Sequence, residues 1–287
     1  MNLLKSVFIS VFVVWLTIVS LYALTQVVRG MEPLLSWLGL ALSAMAPLAF
    51  FIKAFLFKSP RTPRHPLEYS ILSGLGLALT MAMSFRYAQA AGAIHVWAAF
   101  SLLGWLVYLR WYSVFHGRDA QALRVGSPLP AFRLESLDGH VVCSESFKAK
   151  PHLLLFYRGN WCPFCTAQIE ELAEGYKRLE QAGVSVILIS PQSVNKNQAM
   201  ASRFDVPMVF LRDRNSAAAK QLGILHRWGT PMGLQLLGYE SDTVLPTVIM
   251  TNAQGQIVFS DQTDNYRARP EFEALLANHS ENPALPA

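Results

Sequence analysis

The sequence predicts a multi-domain protein: an N-terminal all-α membrane bundle of four spans followed by a C-terminal α/β domain. Three observations predict it. Charge is thin before about residue 110 and ordinary beyond it, four long apolar windows fill the thin part, and short strand-like runs follow, separated by one amphipathic stripe. A hydrophobic content of 52% against 15% charged residues is too apolar for an average soluble chain. The net charge of +5 needs no nucleic acid to explain it. Lys58, Arg61, Arg64 and His65 stand together between two apolar windows, where basic residues mark the cytoplasmic edge of a bilayer.

The windows run from Val7 to Val28, Leu34 to Phe57, Tyr69 to Phe85 and Ala91 to Leu109. A helix needs roughly 20 residues to cross a bilayer, and the third window is the shortest. Lys53 lies near the end of the second, where its stem can carry the ammonium to the headgroups. Pro47, in the same window, removes a backbone donor and predicts a kink. Trp15, Trp37, Trp97, Trp105 and Trp111 crowd this half. The first window outruns the apolar core of a cleaved signal, about 7–15 residues, and three more follow, so it reads as a retained span. Lys5, then Lys58, Arg61 and Arg64, then Arg110, Arg118 and Arg124 fall on one side of the bundle. Only Arg29 and Arg86 fall on the other, so both termini and the C-terminal domain are expected in the cytoplasm.

These features divide the chain into a transmembrane domain at 1–113, a linker at 114–124 and an α/β domain at 125–280. "HLLLFY" (His152 to Tyr157) and "VSVILIS" (Val184 to Ser190) read as strands. Between them Ile169, Leu172, Tyr176 and Leu179 form a helical stripe, with Gly183 at its stop. The resulting strand–helix–strand is the right-handed parallel unit. "MVFLRD" (Met208 to Asp213) is a further strand, and "TVIMTNAQGQIVF" (Thr247 to Phe259) is two strands around a turn.

"RGNWCPFCTAQ" (Arg158 to Gln168) joins the first strand to the helix. Pro163 fits an early helical position, where an N–H has no partner to lose. Cys162 and Cys165 then meet the positive end of the helix dipole, which lowers a thiol below its free value of about 8.5. The alternatives are a structural zinc, a static disulfide and two inert thiols. Zinc wants four ligands, and the chain has three cysteines and scattered histidines, so neither metal nor organic cofactor is expected. A disulfide closing so small a loop stabilises little. Cys143, in the alternating "DGHVVCSES", reads as a half-buried strand residue, with a second resolving thiol as the alternative.

"VGSPLPAFRLESLDGHVV", "LLLFYRGNWCPFCTAQIEEL", "GVSVILISPQSV", "LPTVIM" and "GQIVF" resemble the thioredoxin-like redoxins, in their peroxiredoxin-like AhpC/TSA branch, over about residues 125–277. The resemblance implies a thioredoxin-like fold for the C-terminal domain. It also implies a cis proline beside the dithiol, for which Pro246 is the candidate. The thioredoxin template makes Cys162 the exposed nucleophile, whereas the peroxiredoxin template places the peroxidatic cysteine at Cys165. The peroxiredoxin proline and threonine positions are here Arg158 and Cys162, and the strand arginine is replaced near Pro246. Arg158 is a candidate to hold the thiolate or polarise a peroxide oxygen, with a solvated loop arginine as the alternative. Thioredoxin's buried acid is replaced by Phe156, which leaves Glu170 and Glu171 as candidate proton carriers. "DNYRARPE" (Asp264 to Glu271) resembles the branch's tail motif, with no chemical step for Arg267 or Arg269.

The expected activity is a membrane-anchored thiol-disulfide oxidoreductase, in which Cys162 attacks and Cys165 resolves. Behind it stand a thiol-dependent peroxidase with Cys165 peroxidatic and a non-catalytic membrane scaffold. The expected partners are a protein disulfide or a hydroperoxide, a thiol electron donor and the lipid bilayer, with no nucleic acid. No cysteine precedes Cys143, so the spans cannot relay electrons through disulfides.

Overall fold

A computed structural model describes residues 1–86, 93–118 and 120–281. They form two compact units, one of Val7–Lys58 and Thr62–Val114, the other of Met1–Ser6, Ser59–Arg61 and the chain from Phe115 onward.

Four helices, each long and apolar enough to cross a membrane, open the chain: α1 (Asn2–Val28), α2 (Leu34–Leu56), α3 (Leu67–Arg86) and α4 (Ile94–Val107), the last running on as a π-helical turn to Tyr112. The start of the fourth apolar window, at Ala91, lies outside the described residues. On α1, Phe12, Leu16, Val19 and Ala23 are buried while Val11, Val14, Ile18 and Leu21 are exposed. Both faces are apolar, unlike a surface helix of a water-soluble domain, which turns a polar face outward. Small residues let α2 and α3 approach closely. A Cβ on Gly76 would stand 2.5 Å from the Gly39 carbonyl oxygen, and Ser73 Oγ donates to the Ser43 carbonyl at 2.9 Å. Helix α2 continues through Pro47.

The second unit is built on a seven-stranded sheet. Its strands are β1 (Arg133–Ser136), β2 (Val141–Cys143), β3 (His152–Phe156), β4 (Ser185–Ser190), β5 (Val209–Arg212), β8 (Thr247–Thr251) and β9 (Ile257–Asp261), in spatial order β2-β1-β5-β4-β3-β8-β9. β3, β4 and β5 are parallel, and the remaining pairs are antiparallel. Two short strands, β6 (Leu225–His226) and β7 (Thr243–Val244), pair as a separate hairpin. Helices α5 (Pro163–Glu174), α6 (Tyr176–Gln181), α7 (Val194–Ala201), α8 (Ala217–Gln221) and α9 (Phe272–Glu281) accompany the sheet. This is the α/β thioredoxin-like domain that the sequence predicts.

β3 lies between β4 and β8 and is buried throughout. Such a strand reads as a continuous apolar run, as "HLLLF" does. The helical stripe after it is broken in two at Gly175, where the sequence predicts one helix. A Cβ there would lie 2.2 Å from the Phe272 ring, so a side chain from α9 takes the space that an unbroken helix surface would fill. Gly183 follows α6 with φ +72°, the left-handed stop expected of it.

Candidate active site

The dithiol sits where β3 hands over to α5. Cys162 is the N-cap residue of the helix and Pro163 its first residue. The Cys162 carbonyl accepts the N–H groups of Cys165 at 3.0 Å and of Thr166 at 3.1 Å, which starts the first turn. Both cysteines are free thiols, and the two side chains are hydrogen-bonded to each other.

Neither sulfur is exposed, Cys162 being 1% and Cys165 0% accessible. An exposed nucleophile at Cys162, as the thioredoxin template requires, is therefore corrected: the N-cap position turns its side chain inward, toward Cys165. The two thiols also differ in acidity. Burial pushes Cys162 well up, and its hydrogen bond to Cys165 holds the proton on it. Burial opposes ionisation of Cys165 too. There the hydrogen bond from Cys162, the Arg269 charge, the Arg158 N–H and the Arg158 charge together outweigh it, and bring Cys165 down to about 5.

Arg269 is the residue that sequence reasoning left without a role. Its Nη2 lies 3.5 Å from Cys165 Sγ, its Nη1 donates to Gln168 Oε1 at 3.3 Å, and its Nε donates to the Tyr266 carbonyl at 2.8 Å. Gln168 is one helical turn beyond Cys165, so α5 itself orients the guanidinium that faces the sulfur. The only signal was the arginine-rich tail motif, which spacing alone could not connect to a cysteine 104 positions earlier.

Arg158 is no solvated loop residue. It is 4% exposed, lies 4.7 Å from the centre of the Trp161 ring and 5.4 Å from that of Tyr266, and donates to the Gly229 carbonyl. Thr243 Oγ1 donates to the Arg158 carbonyl at 2.8 Å, so the β6–β7 hairpin holds this residue through side chain and backbone. Gly159 next to it has φ +145°, and a Cβ there would meet Trp161 Nε1 at 2.7 Å.

The peptide bond before Pro246 is trans; the cis bond among the described residues precedes Pro33. Leu245 N–H bonds the Ile224 carbonyl at 2.7 Å and Thr247 begins β8, so the chain passes from one extended segment straight into the next. The Pro246 carbonyl accepts from Arg118 Nη2 at 2.6 Å and is not open to a substrate strand. Pro246 still lies at the dithiol end of the sheet, because Thr247 pairs with Phe156.

Glu170 is held by Arg203 at 2.5 Å and Glu171 by Arg61 at 2.6 Å, which ties both carboxylates to cations rather than to sulfur. The polar group beneath the site is instead Tyr157. Its hydroxyl donates to Asn197 Oδ1 at 2.5 Å and accepts from Gln192 Nε2 at 3.1 Å. Burial, and then the Cys165 charge, push the phenol up, so it keeps its proton. Cys143 ends β2, half-buried on the edge strand.

Comparison with known proteins gives the family of the C-terminal domain. The AhpC/TSA family model matches residues 125–260. A chloroplastic peroxiredoxin Q of Sedum lineare is 30% identical over 139 residues, covering 48% of this chain and 69% of that protein. The wheat (Triticum aestivum) peroxiredoxin Q is 33% identical over 38% of this chain, which spans 48% of its length. A putative peroxiredoxin bcp of Coxiella burnetii is 28% identical, over 36% of this chain and 69% of its own. Among solved structures, peroxidoxin BcpB from Mycobacterium tuberculosis is 20% identical with a TM-score of 0.46, covering 55% of this chain and 97% of that one. On the family match and the peroxiredoxin Q of Sedum lineare, the chain belongs to the AhpC/TSA family of peroxiredoxin-like oxidoreductases.

Proposed function

We propose that the protein is a membrane-anchored thiol peroxidase in which Cys165 is the peroxidatic and Cys162 the resolving cysteine. The observation that carries this reading is the Cys165 sulfur, enclosed, hydrogen-bonded by the neighbouring thiol and faced by the Arg269 guanidinium at 3.5 Å. The Cys165 thiolate attacks the outer oxygen of a hydroperoxide, the O–O bond breaks, the alkoxide leaves with a proton as an alcohol, and the sulfur becomes sulfenic acid. The Cys162 thiol then displaces hydroxide, which leaves as water with the thiol's proton, and the disulfide forms. A small external thiol, able to enter where a folded protein is not, restores both thiols. The chemistry needs neither metal nor cofactor.

Enclosure favours this reading over reduction of protein disulfides by Cys162. A disulfide in a folded partner cannot approach a sulfur that is 1% exposed, whereas a hydroperoxide needs only a small opening. Arg158 and Arg269 would steady the thiolate and polarise the peroxide oxygens. Pro246 serves only to fix the head of β8.

The assignment takes residues 1–113 as the anchor, 114–124 as the connector and 125–280 as the redox domain. The asymmetry of Lys and Arg favours a cytoplasmic redox domain. The full-length protein in detergent, assayed in parallel for peroxide consumption and insulin reduction, tests the chemistry. Fast peroxide loss that vanishes in Cys165→Ser is expected. Insulin reduction dependent on Cys162 without peroxide loss would restore the disulfide-exchange reading, and silence in both assays would leave a scaffold. Labelling of Cys143, the half-buried thiol, in intact cells with a membrane-impermeant maleimide checks the side: a labelled Cys143 would reverse the orientation.

A further inference from the structure

The β6–β7 hairpin does two things on opposite sides. Toward the site it holds Arg158 through the Gly229 carbonyl and Thr243 Oγ1, while Tyr239 donates its hydroxyl to Asn160 Oδ1 at 2.6 Å. On its other side the loop is apolar and uncovered: Trp228 is 48% exposed, Met232 48%, Leu236 92% and Leu237 65%. The other large exposed apolar residues between Phe115 and Leu276, namely Val125, Val141 and Val209, are single and scattered. Scattered apolar residues are ordinary, but a cluster marks a surface with a partner.

Three features say what covers it. From Arg227 to Tyr239 the sequence carries a single charge, the exposed Arg227 beside Trp228, and no acid. A tryptophan and an arginine bordering aliphatic side chains suit the headgroup layer of a bilayer. The loop is also fastened to the first turn of α1: Ser6 Oγ donates to the Thr230 carbonyl at 2.6 Å and Met232 N–H to the Ser6 carbonyl at 3.1 Å. That turn adds exposed Met1, Leu3 and Leu4, so the apolar surface continues from the loop onto the end of a helix long and apolar enough to span. Finally, the loop is a built element. Lys196 Nζ donates to the carbonyls of Leu237 and Gly238, and Trp228 is held at φ +53° with its N–H on Asp242 Oδ1.

We infer that the apolar tip of the β6–β7 hairpin, Trp228, Met232, Leu236 and Leu237, rests in the interfacial layer of a lipid bilayer, a contact of the redox domain additional to the four helices. It rests on the membrane-anchored part of the proposed function and is independent of the peroxidase chemistry.

The test uses the full-length protein in phosphatidylcholine–phosphatidylglycerol vesicles containing a phospholipid with a photoactivatable acyl chain. Labelled peptides are then mapped by mass spectrometry. Label is expected on the segment Trp228–Leu237 as well as on the four helices. In the Leu236→Asp/Leu237→Asp variant the hairpin label should fall about tenfold, from the cost of placing carboxylates in the interface, while label on the helices stays unchanged and shows the protein still assembled. Label confined to the helices in the native protein, or hairpin label indifferent to the two aspartates, would overturn the inference. Cross-linking of the hairpin to a second copy in place of lipid would likewise overturn it, in favour of self-association. Peroxide activity does not enter any of these readouts.

Discussion

Two segments, Arg158–Cys165 and Asn265–Arg269, meet at one sulfur and contribute unlike things. The first brings nucleophiles on a rigid strand-to-helix junction. The second brings a cation on an irregular stretch that precedes α9. Cys162, at the start of the helix but out of water, is raised by burial, then by its hydrogen bond to Cys165 and by that residue's charge. Cys165 in the same turn goes the other way because it accepts the hydrogen bond from Cys162 and, next, because Arg269 of the second segment faces it. The comparison teaches that the helix terminus positions the pair, and that hydrogen bonding and buried charge choose between them.

Breaking the first segment should have the largest effect. Cys165→Ser is expected to abolish peroxide consumption, while Cys162→Ser should still consume about one equivalent per protein and stop at sulfenic acid, trapped with dimedone and read by mass spectrometry. Next comes the second segment. Arg269→Gln removes a charge facing the thiolate, so the Cys165 pKa should climb from about 5 toward the free value of about 8.5, and peroxide consumption at neutral pH should fall on the order of tenfold. Thiolate absorbance followed against pH measures the shift directly. Native activity should rise through pH 5 and then level off, whereas the variant should still be gaining at pH 8, a difference that loss of folding would not produce.

A smaller change sharpens the geometry. Gly159→Ala puts a Cβ 2.7 Å from the Trp161 indole at a backbone angle that side-chain-bearing residues avoid, with an expected stability loss of about 1–3 kcal/mol in denaturant unfolding. The last effect, read as a slope against pH, concerns His226, on the hairpin that clamps Arg158. Burial, with Arg158, Lys5 and Arg118 nearby, lowers it to about 3. Its folded-state pKa lies below the unfolded value of 6.5, so the unfolded chain binds the extra proton between those limits. Stability should therefore decline as pH falls from 6.5 toward 3, by up to about 1.4 kcal/mol per pH unit from this residue, and the slope should lessen in His226→Gln.

What the sequence made legible follows the range of the interactions involved. The four apolar helices, β3, β4, β5 and the β8–β9 pair are written in runs of adjacent residues, as is the start of α5 at the cysteine motif. The interruption at Gly175 was not predicted, and the contact that requires a glycine there comes from Phe272, far along the chain. Nor was the trans bond at Pro246, where the preceding Leu245 N–H bonds the distant Ile224 carbonyl. The choice between Cys162 and Cys165 was unresolved for the same reason: two templates disagreed, and the guanidinium that faces Cys165 arrives from a tail motif of no decipherable spacing. The hairpin strands β6 and β7, two residues each, are too short to leave a periodic trace.

Arg269 lies outside the family match, which ends at residue 260. A protein trimmed to that match would keep both thiols and most of its sheet, yet lose the tail cation that sharpens one sulfur. It would be expected to purify, to accept thiol reagents once unfolded, and to be written off as inert.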